Sequence, residues 1–562
     1  MYLLRRRNVC NTLASPKSAF LSLFLGLLIL PTTSHAVLTD NLGVVNAKAL
    51  ALAHAVTADP PGIDSIHYNP AGLIRIKGRR RQIQAVTGSF DITLELGEYN
   101  DKQQGLLDLA HEFYESVEFP TSLMPTDEYY YDEAYNATSK TAGPSIMVPG
   151  VGQTDLGFIL MPMGGASYSP PGGNITFATN AYAPMAAGFY REDDDPGRFI
   201  GQRFSLSLIT YFSPSIAVQV NDELSIGASI NFNYAGVGIE LPFRAPYDSI
   251  LTIPALQNGF SCDEVDINGE ADPLVNICNP LPLYDVLGTL SFEVDKNLTF
   301  GFNLGFLWEP TPWVAFGFVY QSPVKMDMEG DFQWVNSNAW NTFIGDLLED
   351  PQAGGVVSFL GVSGTDTVEG KASLDMEFPE HYSFGVSLQL TPNLQINVDY
   401  KFTAWSSWQT IPVQFSESID FVTFASYVQP ELSTPTSVTF PLGLVDTWNF
   451  AIGFEYRWND RLDLRFGLED RPSSVPKESR SALLPIDSGI FYGMGIGYKM
   501  DSGAILDLGL GYFHSEVEMP GGSSKFTNSN DGSLLIYNPY VGQDVSATLD
   551  VILVQMSYSS EF

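Results

Sequence analysis

A repeated period of two dominates this sequence and limits the folds that it can adopt. Apolar residues occupy the even positions of residues 224–234, 298–306 and 394–402, while small or polar residues occupy the odd positions. Because successive side chains of a β-strand point to opposite faces, this alternation predicts strands with one apolar and one polar face. The same pattern recurs at residues 384–390, 462–468, 492–498 and 506–512. The chain is therefore predicted to be all-β.

The length of these runs favours a membrane barrel over a large soluble sandwich, whose strands also alternate. The runs approach the roughly 9–11 residues that a tilted strand needs to cross a bilayer. Aromatic residues near the ends of the runs would form girdles at the two membrane interfaces. The residues predicted for these girdles are Tyr400, Trp405, Trp408, Trp308, Trp313, Tyr456 and Trp458.

The predicted connections between strands have two lengths. Short turns are predicted at residues 221–223, 309–312, 391–393, 459–461 and 501–503. Long loops are predicted at residues 97–152, 240–285, 330–372, 410–447, 470–488 and 514–545. Antiparallel bacterial barrels have short periplasmic turns and long external loops. The last run ends on Phe562, which is similar to the assembly signal of outer-membrane barrels, so the sequence predicts a transmembrane antiparallel β-barrel.

The first 36 residues have the layout of a secretory signal peptide. Basic residues at 5–7 and 17 precede an apolar run from Ala19 to Leu30, and small residues flank a possible cleavage point at residues 34–36. Pro31 ends the apolar run before it reaches the roughly 20 residues of a membrane helix. Cleavage would remove four of the 28 basic residues and none of the 64 acidic ones, leaving a formal charge of −40. This charge argues against nucleic acid as a partner, because phosphate binding needs clustered Lys and Arg.

Two cysteines remain in the mature chain, Cys262 and Cys278, in a segment rich in Pro, Asn and Asp. In an exported chain such a pair predicts one disulfide. A zinc site would need more Cys or His ligands at the usual spacing. The acidic residues 264–272 faintly resemble a calcium loop, but the final Glu is missing, so a solvated acidic loop is preferred. We predict neither a metal nor a cofactor.

Residues 37–80 break the strand pattern. They are rich in Ala and Gly, contain Pro60-Pro61-Gly62, and include a predicted short helix within residues 41–58. They would form either a periplasmic tail or a plug inside the barrel. A wide barrel without a plug would be an open water channel, so the plug, or hatch, is the favoured interpretation.

Here the sequence resembles a known family. Residues 55–59 (Ala-Val-Thr-Ala-Asp), followed by Tyr68 and the motif Asn69, Pro70, Ala71, Gly72 and Leu73, resemble the hatch signature of the outer-membrane long-chain fatty-acid transporters. This family is of the FadL type and includes aromatic-hydrocarbon channels. Further short likenesses lie at residues 213–217, 224–227, 322–330, 378–385, 399–406, 448–453, 465–476 and 484–487. The resemblance thus spans most of the mature chain.

The resemblance implies a barrel of 14 strands, with a hatch at residues 37–80 and a barrel at residues 81–562. It also implies that hydrophobic molecules enter from outside and leave sideways through a gap in the barrel wall. Apolar residues in the predicted loops are candidates for ligand contact, with packing inside a structured loop as the favoured alternative for each. These candidates are Phe332, Trp334, Trp340, Phe343, Phe359, Leu360, Phe421 and Phe424.

Motifs of the common enzyme classes are missing from the sequence. It has no Gly-x-Ser-x-Gly elbow, and His111-Glu112 lacks the second His of a zinc protease. The alternative to a transporter is a general porin or an adhesin barrel that works through its acidic loops. A porin would carry charged ladders in its lumen, whereas acidic residues here gather in loops such as residues 192–195. We expect a monomer whose partners are outer-membrane lipid, lipopolysaccharide bridged through divalent cations, and a hydrophobic small molecule.

Overall fold

A computed structural model describes residues 46–116, 131–244, 284–349, 353–359, 361–428, 430–530 and 538–562. Four predictions concern residues outside these ranges: the signal peptide at residues 1–36, the disulfide between Cys262 and Cys278, the acidic loop between these cysteines, and ligand contact by Leu360. They remain predictions.

Strands make up most of the described chain, as the alternating pattern predicts. The strands are β1 (Gly78–Tyr99), β2 (Ala137–Lys140), β3 (Ser145–Val148), β4 (Gly152–Asp155), β5 (Ile159–Ser169), β6 (Ile175–Tyr190), β7 (Arg203–Phe212), β8 (Ser215–Gln219), β9 (Leu224–Arg244), β10 (Val286–Thr311), β11 (Val314–Gln321), β12 (Val324–Asn336), β13 (Thr367–Phe378), β14 (His381–Thr391), β15 (Leu394–Thr403), β16 (Thr410–Phe415), β17 (Ser433–Thr434), β18 (Ser437–Pro441), β19 (Thr447–Arg457), β20 (Leu462–Arg471), β21 (Gly489–Lys499), β22 (Ile505–Met519) and β23 (Gln543–Glu561). Only β3 and β4 stand apart from the main sheet, as a hairpin of their own.

The main sheet closes into an antiparallel barrel. Its first strand, β1, pairs with its last, β23, from Arg80 opposite Glu561 to Leu96 opposite Val545. Within the described ranges the wall has 14 strand positions, as predicted. Some of these positions are shared by two strands, which are joined by 'with' in the following order. Around the wall the positions are β1, β2 with β5, β6, β7 with β8, β9, β10, β11 with β12, β13 with β14, β15 with β16, β18 with β19, β20, β21, β22 and β23. Closure pairs the first and last strands with each other and so removes the two outer edges that an open sheet would present to a bilayer.

Alternation along β10 shows which face points outward. Phe300 is 56% exposed and Phe302 43%, whereas Thr299 and Asn303, on the opposite face, are 5% and 3% exposed. The apolar face is therefore the lipid-facing one. Four predicted girdle residues are exposed at the end of the barrel that carries the short turns: Trp308, Trp313, Tyr456 and Trp458. Tyr400 is exposed as well.

The prediction of girdle positions is wrong for Trp405 and Trp408, which are buried. After β15 the chain forms a 3₁₀ turn at Trp405–Ser407 that leaves the outer face. Trp408 Nε1 then donates a hydrogen bond of 2.6 Å to the carbonyl oxygen of Glu377. This bond satisfies the buried indole N–H of Trp408, and the rings of Trp405 and Trp408 pack against each other at 5.2 Å inside the molecule.

The two ends of the barrel differ, as predicted. At the turn end, short turns join β5 to β6, β8 to β9, β10 to β11, β14 to β15, β19 to β20 and β21 to β22. The loop end carries the long connections. Strands extend further towards the loop end than predicted, and β12 reaches Asn336, so Phe332 and Trp334 are buried strand residues and not exposed loop residues.

Helices lie in the N-terminal part and in the loops. They are α1 (Ala47–Ala51), α2 (Ser65–Tyr68), α3 (Asp101–Ser116), α4 (Asn338–Glu349), α5 (Ala353–Phe359) and α6 (Asp420–Val428). Short 3₁₀ helices are Gly62–Asp64, Pro70–Arg75, Arg198–Ile200, Trp405–Ser407 and Lys477–Ser479. In the part of the chain that the structure describes, no helix is both long and apolar enough to span a bilayer.

Residues 46–77, which we call the inner segment, lie inside the barrel. Wall glycines on β9, β11 and β20 abut its backbone: a Cβ added to Gly227 would overlap Pro70, one on Gly317 would overlap Thr57, and one on Gly467 would overlap Leu52. A segment that touches strands on several sides of a closed barrel must occupy its lumen. The predicted helix near its start is present as α1, and β1 begins at Gly78.

Candidate functional site

The Asn-Pro-Ala-Gly-Leu motif fastens the inner segment to the wall. Asn69 Nδ2 donates to the carbonyl oxygens of Thr57 at 2.8 Å and Phe306 at 3.0 Å. Its Oδ1 accepts from the backbone N–H of Ala71 and so caps the 3₁₀ helix that Pro70 opens. A Cβ on Gly72 would overlap Pro60, so only glycine fits there. The motif thus connects two parts of the inner segment to β10.

A buried ionic cluster holds the first turn of the inner segment. His54 Nδ1 lies 3.1 Å from Glu469 Oε2, and Glu469 also binds Lys401 at 3.0 Å and Arg471 at 2.7 Å. The four side chains are at most 3% exposed. Burial lowers the pKa of His54 to about 4, even though the neighbouring Glu469 acts to raise it, so His54 is neutral at pH 7.

Asp64 is a second buried anchor, and its ligands are amides. It accepts hydrogen bonds from Asn46 at 2.6 Å, Asn180 at 2.6 Å and Gln84 at 3.0 Å, and another from Gln82. Burial raises the pKa of Asp64 to about 6 against the opposing effect of these donors. Asn180 lies on β6 and Gln84 on β1, so Asp64 joins the inner segment to the wall beside β5.

A third group of charges lies at the turn end. Asp59 pairs with Lys48 at 2.8 Å and with Arg75 at 2.8 Å, and Arg75 reaches Glu309 at 2.9 Å. Lys48 also lies 3.3 Å from Glu455 on β19. Burial acts to raise the pKa of Asp59, but Lys48 and Arg75 outweigh it and hold this pKa well below its usual range.

These charged contacts on the inner wall were missed at the level of sequence, where acidic residues were assigned chiefly to the loops. The signal was nevertheless present, since Asp399 and Lys401 occupy polar positions of an alternating run. Their partners could not be read from the pattern, because Thr57 and Asp399 are 342 residues apart.

An apolar cavity lies in the lumen towards the loop end. Phe204 and Leu206 of β7 line one side, and Leu374 and Met376 of β13 line the other. The cavity is open to solvent, and its empty space, with the open part included, is about 1100 Å³. The remaining lining residues are Phe199, Ile200, Gly201, Val237, Ile239, Leu241, Phe292, Trp408, Ile411, Val413, Phe440, Pro441, Leu442, Ser479, Ser481, Leu483, Leu484, Phe526 and Pro539. Such a lining suits a hydrophobic ligand.

The wall beside this cavity is incompletely paired. Strand β6 pairs with β5 only from Phe177 to Ala181, and within the described ranges its residues 182–189 have no β5 partner. A bridge between Gly143 and Tyr190 closes the gap at the loop end. The register of β6 shifts at residues 182–185, where Pro184 lacks an N–H group. We call the gap between residues 159–163 and 182–189 the window.

The hairpin of β3 and β4 lies on the outer face of the wall next to the window. Met147 N donates to Ser207 Oγ at 3.1 Å, and a Cβ on Gly188 would overlap the carbonyl oxygen of Ser145. Ser207 lies on the face of β7 opposite Leu206, which lines the cavity. Two ion pairs of Arg203, with Asp155 at 2.7 Å and with Glu240 at 2.8 Å, fasten the hairpin there.

One aromatic side chain lies beside both the cavity and the window. Phe189 of β6 is fully buried, and its ring lies 6.2 Å from that of Phe204, which lines the cavity. Its own strand borders the window. Phe189 therefore adjoins both the lining of the cavity and the window.

The predicted loop aromatics divide into packed and exposed groups. Trp334 stacks on Phe421 at 5.5 Å, and Phe332 packs on Phe415, in agreement with packing inside structured loops. Phe343 is buried next to Trp340. Exposed side chains are those of Phe359, at 87%, and Phe424, at 40%. Leu360 lies outside the described residues.

Comparison with known proteins assigns the architecture to a family. Residues 32–562 match the family model described as outer membrane protein transport protein (OMPP1/FadL/TodX). The chain belongs to this family. OMPP1/FadL/TodX proteins are outer-membrane transport channels and not enzymes, and the family and the barrel together place the chain in the outer membrane.

Individual members of the OMPP1/FadL/TodX family are distant in sequence. A long-chain fatty acid transport protein of Escherichia coli O6:H1 is 23% identical over 218 residues, which cover 39% of this chain and 42% of that relative. The crystal structure of a Pseudomonas aeruginosa FadL homologue covers 94% of this chain and 100% of its own, with a TM-score of 0.61 and 17% identity. The Ralstonia pickettii toluene transporter TbuX covers 93% of this chain and 99% of its own, with a TM-score of 0.54 and 15% identity. These two structures support the fold.

Proposed function

We propose that this protein is a channel for the passive uptake of hydrophobic molecules, the class that includes long-chain fatty acids and hydrocarbons. The observation that carries the proposal is an apolar lumenal cavity that adjoins an unpaired window in the barrel wall. A water-filled porin would not need either feature. Relatives named as a long-chain fatty acid transport protein and a toluene transporter support the same class of cargo.

The path runs from the loop end into the cavity and then sideways into the membrane. The inner segment lies at the level of Asp64 and Asn180, where β6 leaves β5. As the hatch, residues 37–80 block the route straight through residues 81–562, and the window provides the exit. Movement of Phe189 connects the cavity to this exit. Lateral release spares an apolar ligand from crossing the periplasm side of the lumen, which is lined by charges.

Closing the window tests the route. Continuing the register of β5 and β6 would pair Ile159 with Ala186. Cysteines at these two positions, joined by a bifunctional thiol reagent, hold the window shut. The matched control joins cysteines at Tyr168 and Phe177, which are already paired. Uptake of a labelled fatty acid or hydrocarbon by cells should fall only in the first variant.

Two other results would decide against the proposal. If uptake of the hydrophobic compound is unchanged when the window is cross-linked shut, the ligand does not leave the barrel through the window. Entry of small hydrophilic solutes, without faster entry of either hydrophobic compound, identifies a general porin or a binding barrel instead.

The remaining proposals concern export and partners. We propose that residues 1–36 are cleaved on export, that Cys262 and Cys278 form a disulfide, and that the barrel is a monomer. Mass spectrometry of the purified protein with and without reduction tests the first two, and light scattering tests the third. The acidic loops are proposed to contact lipopolysaccharide through divalent cations, and stability that does not respond to a chelator would contradict this contact.

A further inference from the structure

The positions of the basic residues restrict the charge of the ligand. Of the 28 Lys and Arg residues, four lie in residues 1–36 and all others lie in the described ranges. The undescribed segments 117–130, 245–283 and 531–537 contain Asp and Glu but no Lys, Arg or His. The lining of the cavity consists of apolar residues and two serines. These three segments therefore contain no basic side chain that could be added to this lining.

Several arginines that flank the cavity are held in ion pairs. Their carboxylate partners are Asp155 and Glu240 for Arg203, Asp132 for Arg244, and Asp487 for Arg480. Arg480 follows the lining residue Ser479, and Arg203 precedes the lining residue Phe204. At these arginines an incoming carboxylate would have to displace a carboxylate partner, and the mature chain with its charge of −40 would repel it.

The polar atoms of the lining suit a neutral ligand. Trp408 Nε1 already donates to Glu377, so the indole offers its apolar face. Ser479 and Ser481 carry hydroxyl groups, which can donate to a carbonyl or ester oxygen. Placing an ionised carboxylate among apolar side chains without a cation is strongly unfavourable, whereas an ester of the same chain length has no such penalty.

We infer that the cavity takes uncharged hydrophobic molecules, namely hydrocarbons and neutral esters, and discriminates against ionised fatty acids. This inference rests on the proposed function and narrows its class of cargo. If this inference holds, the affinity of a ligand depends mainly on the charge of its head group and less on the length of its hydrocarbon chain.

A matched pair of ligands tests this inference on the purified full-length protein in detergent. A radiolabelled long-chain fatty acid and its methyl ester are compared by equilibrium binding, at a pH well above the pKa of the free acid. The ester should bind more than about tenfold more tightly, since an unpaired buried charge costs several times the energy of a tenfold change in affinity. When the pH is lowered through the pKa of the free fatty acid, the difference in affinity between the ester and the acid should become smaller, because the acid becomes neutral.

A gain-of-function variant makes the test sharper. Met376→Lys places a cation in the lining with little change in side-chain length, and Met376→Leu is the neutral control. The Lys variant should bind the fatty acid more than about tenfold more tightly than the wild type, while its affinity for the ester stays the same or falls. The Leu variant alters the lining without adding a charge, so the ratio of its affinities for the ester and the acid should stay that of the wild type.

The outcomes separate this inference from the proposed function. A fatty acid that binds the wild type as tightly as its ester would overturn the inference and leave the hydrophobic channel intact. Failure of the wild type to bind either ligand would overturn the channel itself.

Discussion

Asp399 Oδ2, on the inner face of β15, accepts a hydrogen bond of 2.8 Å from the backbone N–H of Thr57. The same oxygen accepts from the hydroxyl of Thr57 and from the backbone N–H of Val56, both at 2.8 Å. One carboxylate thus satisfies two consecutive peptide groups and a side chain of the inner segment. Hydrogen bonds to a charged group are stronger than neutral ones, so Asp399 is a principal anchor of this segment.

We predict that Asp399→Asn loosens the inner segment while the barrel persists. Loss of the charge should cost about 1.5–3 kcal/mol, and amide exchange at Val56 and Thr57 should accelerate by about tenfold or more. Hydrogen exchange with mass spectrometry measures this change. Asp375→Asn, at an exposed position of β13, is the control and should leave exchange in residues 46–77 as it was. Equal exchange in the two variants would contradict the anchoring role.

Glu469→Gln should destabilise the protein strongly. The substitution leaves Lys401 and Arg471 buried without their carboxylate, and the removal of one partner from a buried ion pair costs about 3–5 kcal/mol. The thermal unfolding midpoint in detergent should fall accordingly. For comparison, Glu561 pairs with Arg80 but its side chain is 73% exposed, so Glu561→Gln should cost at most about 1 kcal/mol. A midpoint in Glu469→Gln as high as in Glu561→Gln would be inconsistent with this cluster.

The Asp64 carboxyl predicts a pH dependence with a defined sign. Its pKa rises from 3.8 in the unfolded chain to about 6 in the folded protein. The folded state therefore binds more protons between these values, so its contribution to stability is present below pH 3.8 and is lost as the pH rises through 6. Across this pH range the contribution of the Asp64 carboxyl to the free energy of unfolding falls by about 3 kcal/mol.

Asp64→Asn removes this dependence, so the variant should gain stability relative to the wild type as the pH rises from 4 to 7. Unfolding midpoints of the two proteins across this range measure the difference. His54 acts with the opposite sign, because burial lowers its pKa from 6.5 to about 4, but it is present in both proteins and cancels in the comparison. A difference between the two proteins that stays constant with pH would refute the assignment.

Gly317→Ala should displace the inner segment from the wall. A Cβ at this position would overlap the backbone of Thr57, which cannot move as a flexible side chain would. Overpacking of this kind costs about 1–3 kcal/mol. Ion conductance across a planar bilayer should rise as the lumen opens. Gly157→Ala is the matched control, since a Cβ there meets nothing within 4 Å.

Local sequence patterns were enough to predict the strands, their outward faces and the two unequal ends of the barrel. These features are local, because a period of two and a turn are encoded within a few residues, as in residues 298–306 of β10. The same local pattern placed Asp399 and Lys401 on the polar face. It also assigned Trp405 and Trp408 to the membrane interface, which is wrong because the chain turns inward after β15.

The assembly of the site, by contrast, depends on contacts between distant parts of the folded chain. The window depends on the residue at which β6 stops pairing with β5 while it still pairs with β7. The register between these strands determines that residue. The cavity depends on Phe204 and Met376, which come from strands on different sides of the barrel. The anchors of the inner segment join residues hundreds of positions apart. No periodicity in one stretch of chain encodes such contacts, since closure of the barrel brings them together.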